Sequence, residues 1–305
     1  MNFADRLIEK ITNTSHIVVG IDPNFNLMPN ILIPEPDNSI AITNALFDFS
    51  KIVIDSSYDL IPAVKFQSAY FEQFGTLGIK ALSKSIEYAK NKNLLVILDA
   101  KRGDIGSTSL AYAKAYLEGQ TTLKNGLTIT SDITVDCMTI NPFLGEDSLQ
   151  PFVESAINFN KGIFILVKTS NPGFKLIQDK VVDGKNISQY LAELVNNYSK
   201  DSLGKNGYSS IGAVVGATFP SEGNNLRKLM PNAIILAPGV GSQGGTIENF
   251  LINFGREIKG VIIPISRAIT YTSDLTISLE KYQTMIRKNV ENFVSNLEQM
   301  KNAEK

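Results

Sequence analysis

The chain has 305 residues, of which 43% are hydrophobic, and this is enough for one large buried core. Its formal net charge of −1 argues against a general nucleic-acid or membrane-surface partner, although a local basic site for phosphate stays compatible with it. The single cysteine, Cys137, excludes an internal disulfide, and its apolar neighbours predict a buried, inert thiol in a reducing compartment, the cytoplasm. We expect no secretory signal in residues 1–14, and no apolar run approaches the ~20 residues that span a bilayer.

Apolar runs rich in Val, Ile and Leu recur along the chain, and such runs are typical of strands buried on both faces. The eight predicted strands are residues 16–22, 60–66, 94–98, 133–141, 162–169, 211–218, 233–237 and 260–265. Helical spacing of apolar residues fills the gaps between them, and a short helix precedes the first strand. The predicted helices are residues 3–11, 39–57, 68–92, a helix ending near 117, 148–159, 187–198, helices starting at 220 and near 246, and 278–300.

Strands alternating with helices favour one α/β domain over residues 1–305, a single (β/α)8 TIM barrel. A doubly wound open sheet is the alternative, but no Gly-x-Gly-x-x-Gly turn follows the first strand. Residues 24–38 hold three prolines and are predicted as a long loop. Residues 118–132 are polar, and we expect an irregular excursion there on the far side of the barrel.

The third predicted strand changes abruptly from apolar to charged residues. Asp99 and Lys101 are two residues apart, so on a strand their side chains leave the same face. Gly103 ends the strand, Asp104 lies beyond it, and Ser107 or Thr108 is expected to cap the next helix. The pattern predicts Asp99, Lys101 and Asp104 clustered at the carboxyl end of a buried strand, where α/β folds bind ligands. The alternative interpretation is a solvated loop.

Polar residues after the other strands would join this cluster, because the strand ends of a barrel converge on one face. They are Asp22, Lys65, Ser170, Gln243 and Arg267. The glycine-rich run 238–245 and Arg267 follow strands seven and eight, so exposed backbone N–H groups and a guanidinium could together bind a phosphate. The only histidine, His16, opens a strand and is expected to be structural, and the sequence has no Cys/His cluster typical of a metal site.

The motif Asp99-x-Lys101-x-x-Asp104-Ile105 resembles the signature of the orotidine 5'-phosphate decarboxylases. With Gly106-Ser107-Thr108 added, it resembles the longer-chain bacterial members of that family. The resemblance covers nearly the whole chain, including Asp22, Lys65, Arg267 and the runs 170–173 and 238–245. Ser266 is a departure, since glycine often precedes the arginine in shorter members, and residues 24–38 and 118–132 have no match in them.

Membership would imply that orotidine 5'-monophosphate loses carbon dioxide to give uridine 5'-monophosphate, the last step of de novo synthesis, with no metal and no organic cofactor. Lys101 would stabilise the carbanion and donate the proton, Asp99 would crowd the substrate carboxylate, and Lys65 with Asp99 would hold Lys101 in place. Asp104 and Thr108 would reach into the neighbouring subunit's site, so the resemblance implies a homodimer. The implied substrate-binding residues are Asp22, Thr108, Ser170, Gln243 and Arg267.

Two other functions compete with this interpretation. A sugar-phosphate decarboxylase or aldolase of the same superfamily would use magnesium and carry an acidic residue after strand two, where Lys65 would repel the metal. A catalytically silent barrel that binds a phosphate ligand would be favoured by loss of Asp99 or Lys101, and both are present.

Overall fold

A computed structural model of the chain describes residues 1–35, 39–217, 220–241, 244–255 and 258–303. The strands are β1 (Ile17–Ile21), β2 (Ala63–Gln67), β3 (Leu95–Arg102), β4 (Gln120–Thr122), β5 (Thr128–Thr130), β6 (Cys137–Ile140), β7 (Gly162–Lys168), β8 (Val181–Val182), β9 (Lys185–Asn186), β10 (Ser209–Val215), β11 (Ala233–Leu236) and β12 (Val261–Ile265). Eight of them form a closed parallel barrel in the order β1-β2-β3-β6-β7-β10-β11-β12, and β12 pairs with β1. The predicted TIM barrel is therefore confirmed, and the open sheet is excluded.

Helices follow the barrel strands and cover the outside of the sheet. They are α1 (Phe3–Asn13), α2 (Ser39–Asp55), α3 (Ser68–Glu72), α4 (Gly75–Asn91), α5 (Gly106–Ala113), α6 (Glu146–Asn158), α7 (Ile187–Ser199), α8 (Pro220–Leu229), α9 (Ile247–Phe254), α10 (Arg267–Thr270) and α11 (Leu279–Asn302). The long helix predicted over residues 68–92 is divided into α3 and α4 before Gly75, which has a φ of +56°. The four-residue α10 was not predicted.

Alternate strand residues face two separate hydrophobic clusters, as expected for strands buried on both faces. Ile17 and Val19 of β1 belong to the outer cluster, between the sheet and the helices. Val18 belongs to the inner cluster, together with Phe3 and Leu7 of α1. The helix α1 therefore closes the amino-terminal end of the barrel interior.

Two local expectations are wrong. Residues 118–132 are not irregular throughout, because β4 and β5 form an antiparallel hairpin. The hairpin does lie between the end of α5 and the start of β6, on the side away from the strands' carboxyl ends, as expected. Neither Ser107 nor Thr108 caps α5: the helix begins at Gly106, its N-cap residue is Ile105, and no side chain caps it.

Of the two residues that we expected to be structural, His16 is partly buried just before β1 and Cys137 is fully buried in β6. His16 is hydrogen-bonded through Nδ1 to the Val261 carbonyl at 2.8 Å, and burial lowers the pKa of its imidazole. Cys137 is fully buried, and burial raises the pKa of its thiol well above the usual value, so the thiolate that would react is disfavoured. Among the described residues, no helix is both long and apolar enough to cross a membrane.

Candidate active site

A pocket of about 380 Å³ opens at the carboxyl ends of the barrel strands. Six of the nine predicted site residues line it: Asp22, Lys65, Asp99, Lys101, Ser170 and Arg267. They come from five different strands or the loops that follow them, because Asp99 and Lys101 share β3. The barrel thus brings together groups that are far apart in the sequence, as the convergence of strand ends predicts.

The Asp99 carboxylate is at the centre of the polar network and accepts four hydrogen bonds. Oδ2 accepts from Lys65 at 3.2 Å and Gln67 at 3.1 Å, and Oδ1 accepts from Lys101 at 2.5 Å and Thr139 at 2.9 Å. Burial alone would raise the pKa of Asp99, but the two lysines and the hydrogen bonds hold it well below its usual range. The carboxylate is therefore charged and fixed in orientation.

Lys65 lies buried between two carboxylates. Its Nζ is 3.2 Å from Asp99 Oδ2 and 4.0 Å from Asp22 Oδ1. Burial would lower the pKa of this lysine, but Asp99 and Asp22 outweigh burial and raise it, so the ammonium keeps its charge. Asp22 Oδ1 is itself buried and accepts no hydrogen bond from the described residues. The pocket wall thus offers an acceptor that a ligand hydroxyl could satisfy.

The end of β3 is bulged, and the bulge aims Lys101 at the pocket. Leu98 pairs with Met138 and Arg102 with Ile140, so the three residues 99–101 lie opposite one residue of β6. Within the bulge Lys101 has a φ of +47°, in the left-handed region, where a side chain other than glycine costs roughly 1–2 kcal/mol. Such strain persists only where the surrounding contacts fix it, and it concentrates at functional sites.

The loop after β11 forms the opposite wall of the pocket through Pro238, Gly239 and Val240. Gly239 has a φ of +122° and Gly241 one of +88°, so the loop needs glycine at these places. The expectation of exposed backbone N–H groups is wrong for part of the run. The N–H groups of residues 241, 244 and 245 all donate to carbonyls inside the loop.

Arg267 begins α10 directly after β12 and lines the same end of the pocket as Ser266. Ser266, the departure from glycine, has a negative φ of −109° and so does not use the left-handed region that favours glycine. A Cβ built on Gly20 would come within 1.9 Å of Ser266 Oγ, so the serine side chain rests on this β1 glycine. The Arg267 guanidinium therefore stays at the end of β12, although serine stands at position 266 where shorter family members often have glycine.

The loop after β7 carries Ser170 and Asn171 into the pocket and is fastened at its base. Thr169 N–H donates to the Gln178 side chain at 2.8 Å, which closes residues 170–177 into a loop. The buried Lys168 ammonium pairs with Asp179 and, at 2.7 Å, with Glu222 of α8. These contacts tie the Ser170 loop to the barrel wall.

Three predicted site residues are not among the lining residues. Asp104 and Thr108 do not line the pocket that the described residues of one chain form, although Asp104 follows the carboxyl end of β3 as predicted. Asp104 Oδ1 instead accepts from the Ile105 N–H at 2.8 Å, and Thr108 is exposed on α5. Gln243 lies outside the described residues.

Gln67 and Thr139 also line the pocket, and neither was predicted from the sequence. Gln67 is two residues after Lys65 on β2, so strand periodicity alone could have placed it on the same face. Thr139 gives no such signal, because it faces the bulge, and the bulge interrupts the register between β3 and β6.

The chain is similar to one family of known proteins over most of its length. The model of the "Orotidine 5'-phosphate decarboxylase / HUMPS family" matches residues 45–282. An orotidine 5'-phosphate decarboxylase of Caldicellulosiruptor bescii is 38% identical over 97% of this chain and 98% of its own length. One of Caldicellulosiruptor saccharolyticus is 41% identical over 89% of this chain and 90% of its own length. The solved structure of Leishmania donovani OMP decarboxylase, 26% identical, superposes with a TM-score of 0.73 over 99% of both chains.

Proposed function

The chain belongs to the orotidine 5'-phosphate decarboxylase / HUMPS family, and we propose that it converts orotidine 5'-monophosphate to uridine 5'-monophosphate and carbon dioxide, the last step of de novo UMP synthesis. The observation that carries the proposal is the array Lys65–Asp99–Lys101, which fixes one ammonium at the pocket wall. We further propose that residues 1–305 form one domain, since α1 closes the barrel that the strands build.

Lys101 is the proposed electrostatic partner and proton donor. When the bond between C6 and the carboxylate carbon breaks, carbon dioxide leaves and the electron pair stays on C6, where no adjacent group can delocalise it. An ammonium already held in place stabilises that charge without having to reorganise, and such preorganisation is usually the largest catalytic contribution. Lys101 then transfers a proton to C6 and is reprotonated from water.

Asp99 has two proposed roles. It orients Lys101 through the 2.5 Å contact, and Lys65 neutralises its second oxygen at 3.2 Å. Its charge would also face the substrate carboxylate, and the repulsion between the two would be relieved as carbon dioxide departs. The lowered pKa of Asp99 supports both roles, because each needs the ionised form.

The remaining pocket residues suit the rest of the nucleotide. Asp22 Oδ1, which accepts no hydrogen bond from the described residues, is an acceptor for a ribose hydroxyl, and Arg267 is a charge-assisted donor for the phosphate. Ser170, on its fastened loop, is a donor or acceptor for the base. We assign Gln243 to the phosphate end as well, from its place in the glycine-rich run.

We propose a homodimer with shared active sites in the cytoplasm. Asp104 and Thr108 lie outside their own pocket, and Lys101 keeps 44% of its side chain exposed, so one chain leaves its site incomplete. The surface near them presents exposed apolar side chains that a second copy would cover. These side chains are Ile105, Leu110, Phe143 and Leu144.

The experiment that tests the proposal is release of carbon dioxide from orotidine 5'-monophosphate, measured with and without a chelator. We expect full turnover in both. Activity that the chelator abolishes would favour the magnesium-dependent sugar-phosphate chemistry, which the Lys65 ammonium between Asp22 and Asp99 disfavours. Nucleotide binding without turnover would favour the silent barrel.

A further inference from the structure

The bulge at the end of β3 leaves the backbone of Lys101 without its normal ladder partner. Residues 99–101 lie opposite Thr139 alone, and pairing resumes where the Asn141 N–H donates to the Arg102 carbonyl at 2.7 Å. Between these points the Lys101 N–H donates to the Thr139 side chain, Oγ1, at 2.9 Å. A side-chain oxygen thus replaces the missing backbone acceptor.

The Thr139 hydroxyl makes a second hydrogen bond, and the two bonds together show where it donates and where it accepts. It donates to Asp99 Oδ1 at 2.9 Å, and it can accept from Lys101 because its one proton is already committed to the carboxylate. Thr139 is fully buried, so water does not compete for either bond. One atom therefore fixes both the backbone of Lys101 and the carboxylate that its ammonium contacts.

We propose that Thr139 is a positioning residue for the decarboxylation: its hydroxyl holds Lys101 in the left-handed conformation and keeps Asp99 Oδ1 turned toward the Lys101 ammonium. Without the hydroxyl, the Lys101 N–H loses its acceptor, and the strained φ of +47° loses a contact that fixes it. The proposal rests on the proposed function for its kinetic consequence, but its structural consequence is independent of it.

The test uses two substitutions at one position. Thr139→Val keeps the shape and removes the hydroxyl, whereas Thr139→Ser keeps the hydroxyl. We expect kcat of the valine variant to fall about 10- to 100-fold, the usual effect of losing a hydrogen bond to a charged group, with KM nearly unchanged. The serine variant should recover most of kcat.

The matched control is Thr43→Val. Thr43 is also a buried threonine that donates one hydrogen bond, to the Leu77 carbonyl at 3.0 Å, but it lies on α2 in the helix layer. We expect it to lose stability and keep kcat. All variants are assayed below their melting temperatures, with folded sites counted by UMP binding.

A crystal structure of Thr139→Val tests the positioning role directly. If Thr139 only stabilised the fold, the conformation of Lys101 would not change in this variant. We expect Lys101 to leave the left-handed region and its ammonium to leave Asp99 Oδ1. An unchanged Lys101, unchanged kcat in the valine variant, or a serine variant as slow as the valine variant would each overturn the proposal. If the wild-type protein released no carbon dioxide, the proposed function would fail, and the crystal structure would still decide the role of Thr139.

Discussion

Both ends of the barrel hold a buried aspartate among cations, yet the lysines around the two differ. At the carboxyl end, Asp99 and Asp22 face Lys65 and raise its pKa. At the amino-terminal end, Asp136 is 2.8 Å from Arg6 and 4.0 Å from Lys161. There burial lowers the pKa of Lys161, and Asp136 only partly opposes it.

The two ends of the barrel differ in the groups that their cations contact. At the amino-terminal end, the ammonium groups of Lys10 and Lys90 donate to the carbonyls of Asn93 and Thr134, in turns that lead into barrel strands. These groups fasten the turns, and burial lowers the pKa of both lysines. At the carboxyl end the charges are balanced among themselves, and an acceptor on Asp22 is left over. A cluster that fixes its charges and leaves one polar group open is suited to a ligand.

The largest expected effect separates a lysine at one end from a lysine at the other. Lys101→Ala should reduce turnover by at least about 10³-fold while the protein stays folded, since it removes both the fixed charge and the proton donor. Lys10→Ala, at the amino-terminal end, should leave turnover unchanged. Steady-state decarboxylation with circular dichroism measures both. Near-normal turnover by folded Lys101→Ala would refute the assignment.

The second effect tests the phosphate end of the pocket. Arg267→Ala should weaken binding of UMP by roughly 10- to 100-fold, because a charge-assisted hydrogen bond to phosphate is lost. Binding of uridine, which lacks the phosphate, should change far less. Calorimetric titration of both ligands measures the two losses, and equal losses would mean that Arg267 does not contact the phosphate.

The sequence predicted the barrel strands more fully than the local details of the site. The eight strands were predictable, because apolar runs are local signals. Asp99 and Lys101 were expected on one face and do meet, although the bulge, and not the period of two of a regular strand, aims Lys101. The positions of Lys65 and Arg267 in the pocket followed from strand ends converging in a barrel. Each of these rules depends only on residues close in sequence plus the fold class.

The features that the sequence did not predict depend on contacts between elements. Thr139 became visible only through the bulge, which no pattern within β3 reveals. The helix α5 starts at Gly106 with a φ of +48°, so the expected caps at Ser107 and Thr108 fall inside the helix. The internal bonds of the loop after β11 likewise depend on its closed conformation. Within the described part of a single chain, the pocket does not include Asp104 among its lining residues.

The third prediction tests whether Asp104 contributes to the active site of the partner subunit. In the proposed dimer each site needs Lys101 from one chain and Asp104 from the other, so a mixed dimer of Lys101→Ala and Asp104→Ala has one site with both lesions and one intact site. Random exchange makes about half the dimers mixed, and roughly a quarter of wild-type activity should return. Each variant incubated alone is the control. No recovery, with exchange demonstrated by mass spectrometry, would mean that Asp104 does not serve the partner's site.

The smallest effect concerns the cost of the charge at the amino-terminal end. The pKa of Lys161 is lower in the folded chain than its ordinary 10.5, so the folded state releases this proton more readily than the unfolded state. By linkage, Lys161 makes the wild-type protein more stable as the pH rises toward 10.5. The Lys161→Met variant has no amine at this position, so it lacks this increase in stability with pH. We expect the free energy of unfolding of the variant to differ from that of wild type by less than about 1 kcal/mol at pH 7, with full decarboxylase activity, and to fall further behind wild type as the pH rises from 7 toward 10.5. Urea unfolding of both proteins across that range measures the difference, in which titrations common to both cancel. A constant difference would show that Lys161 titrates alike in both states and that burial of its charge carries no cost, which would remove the contrast with Lys65.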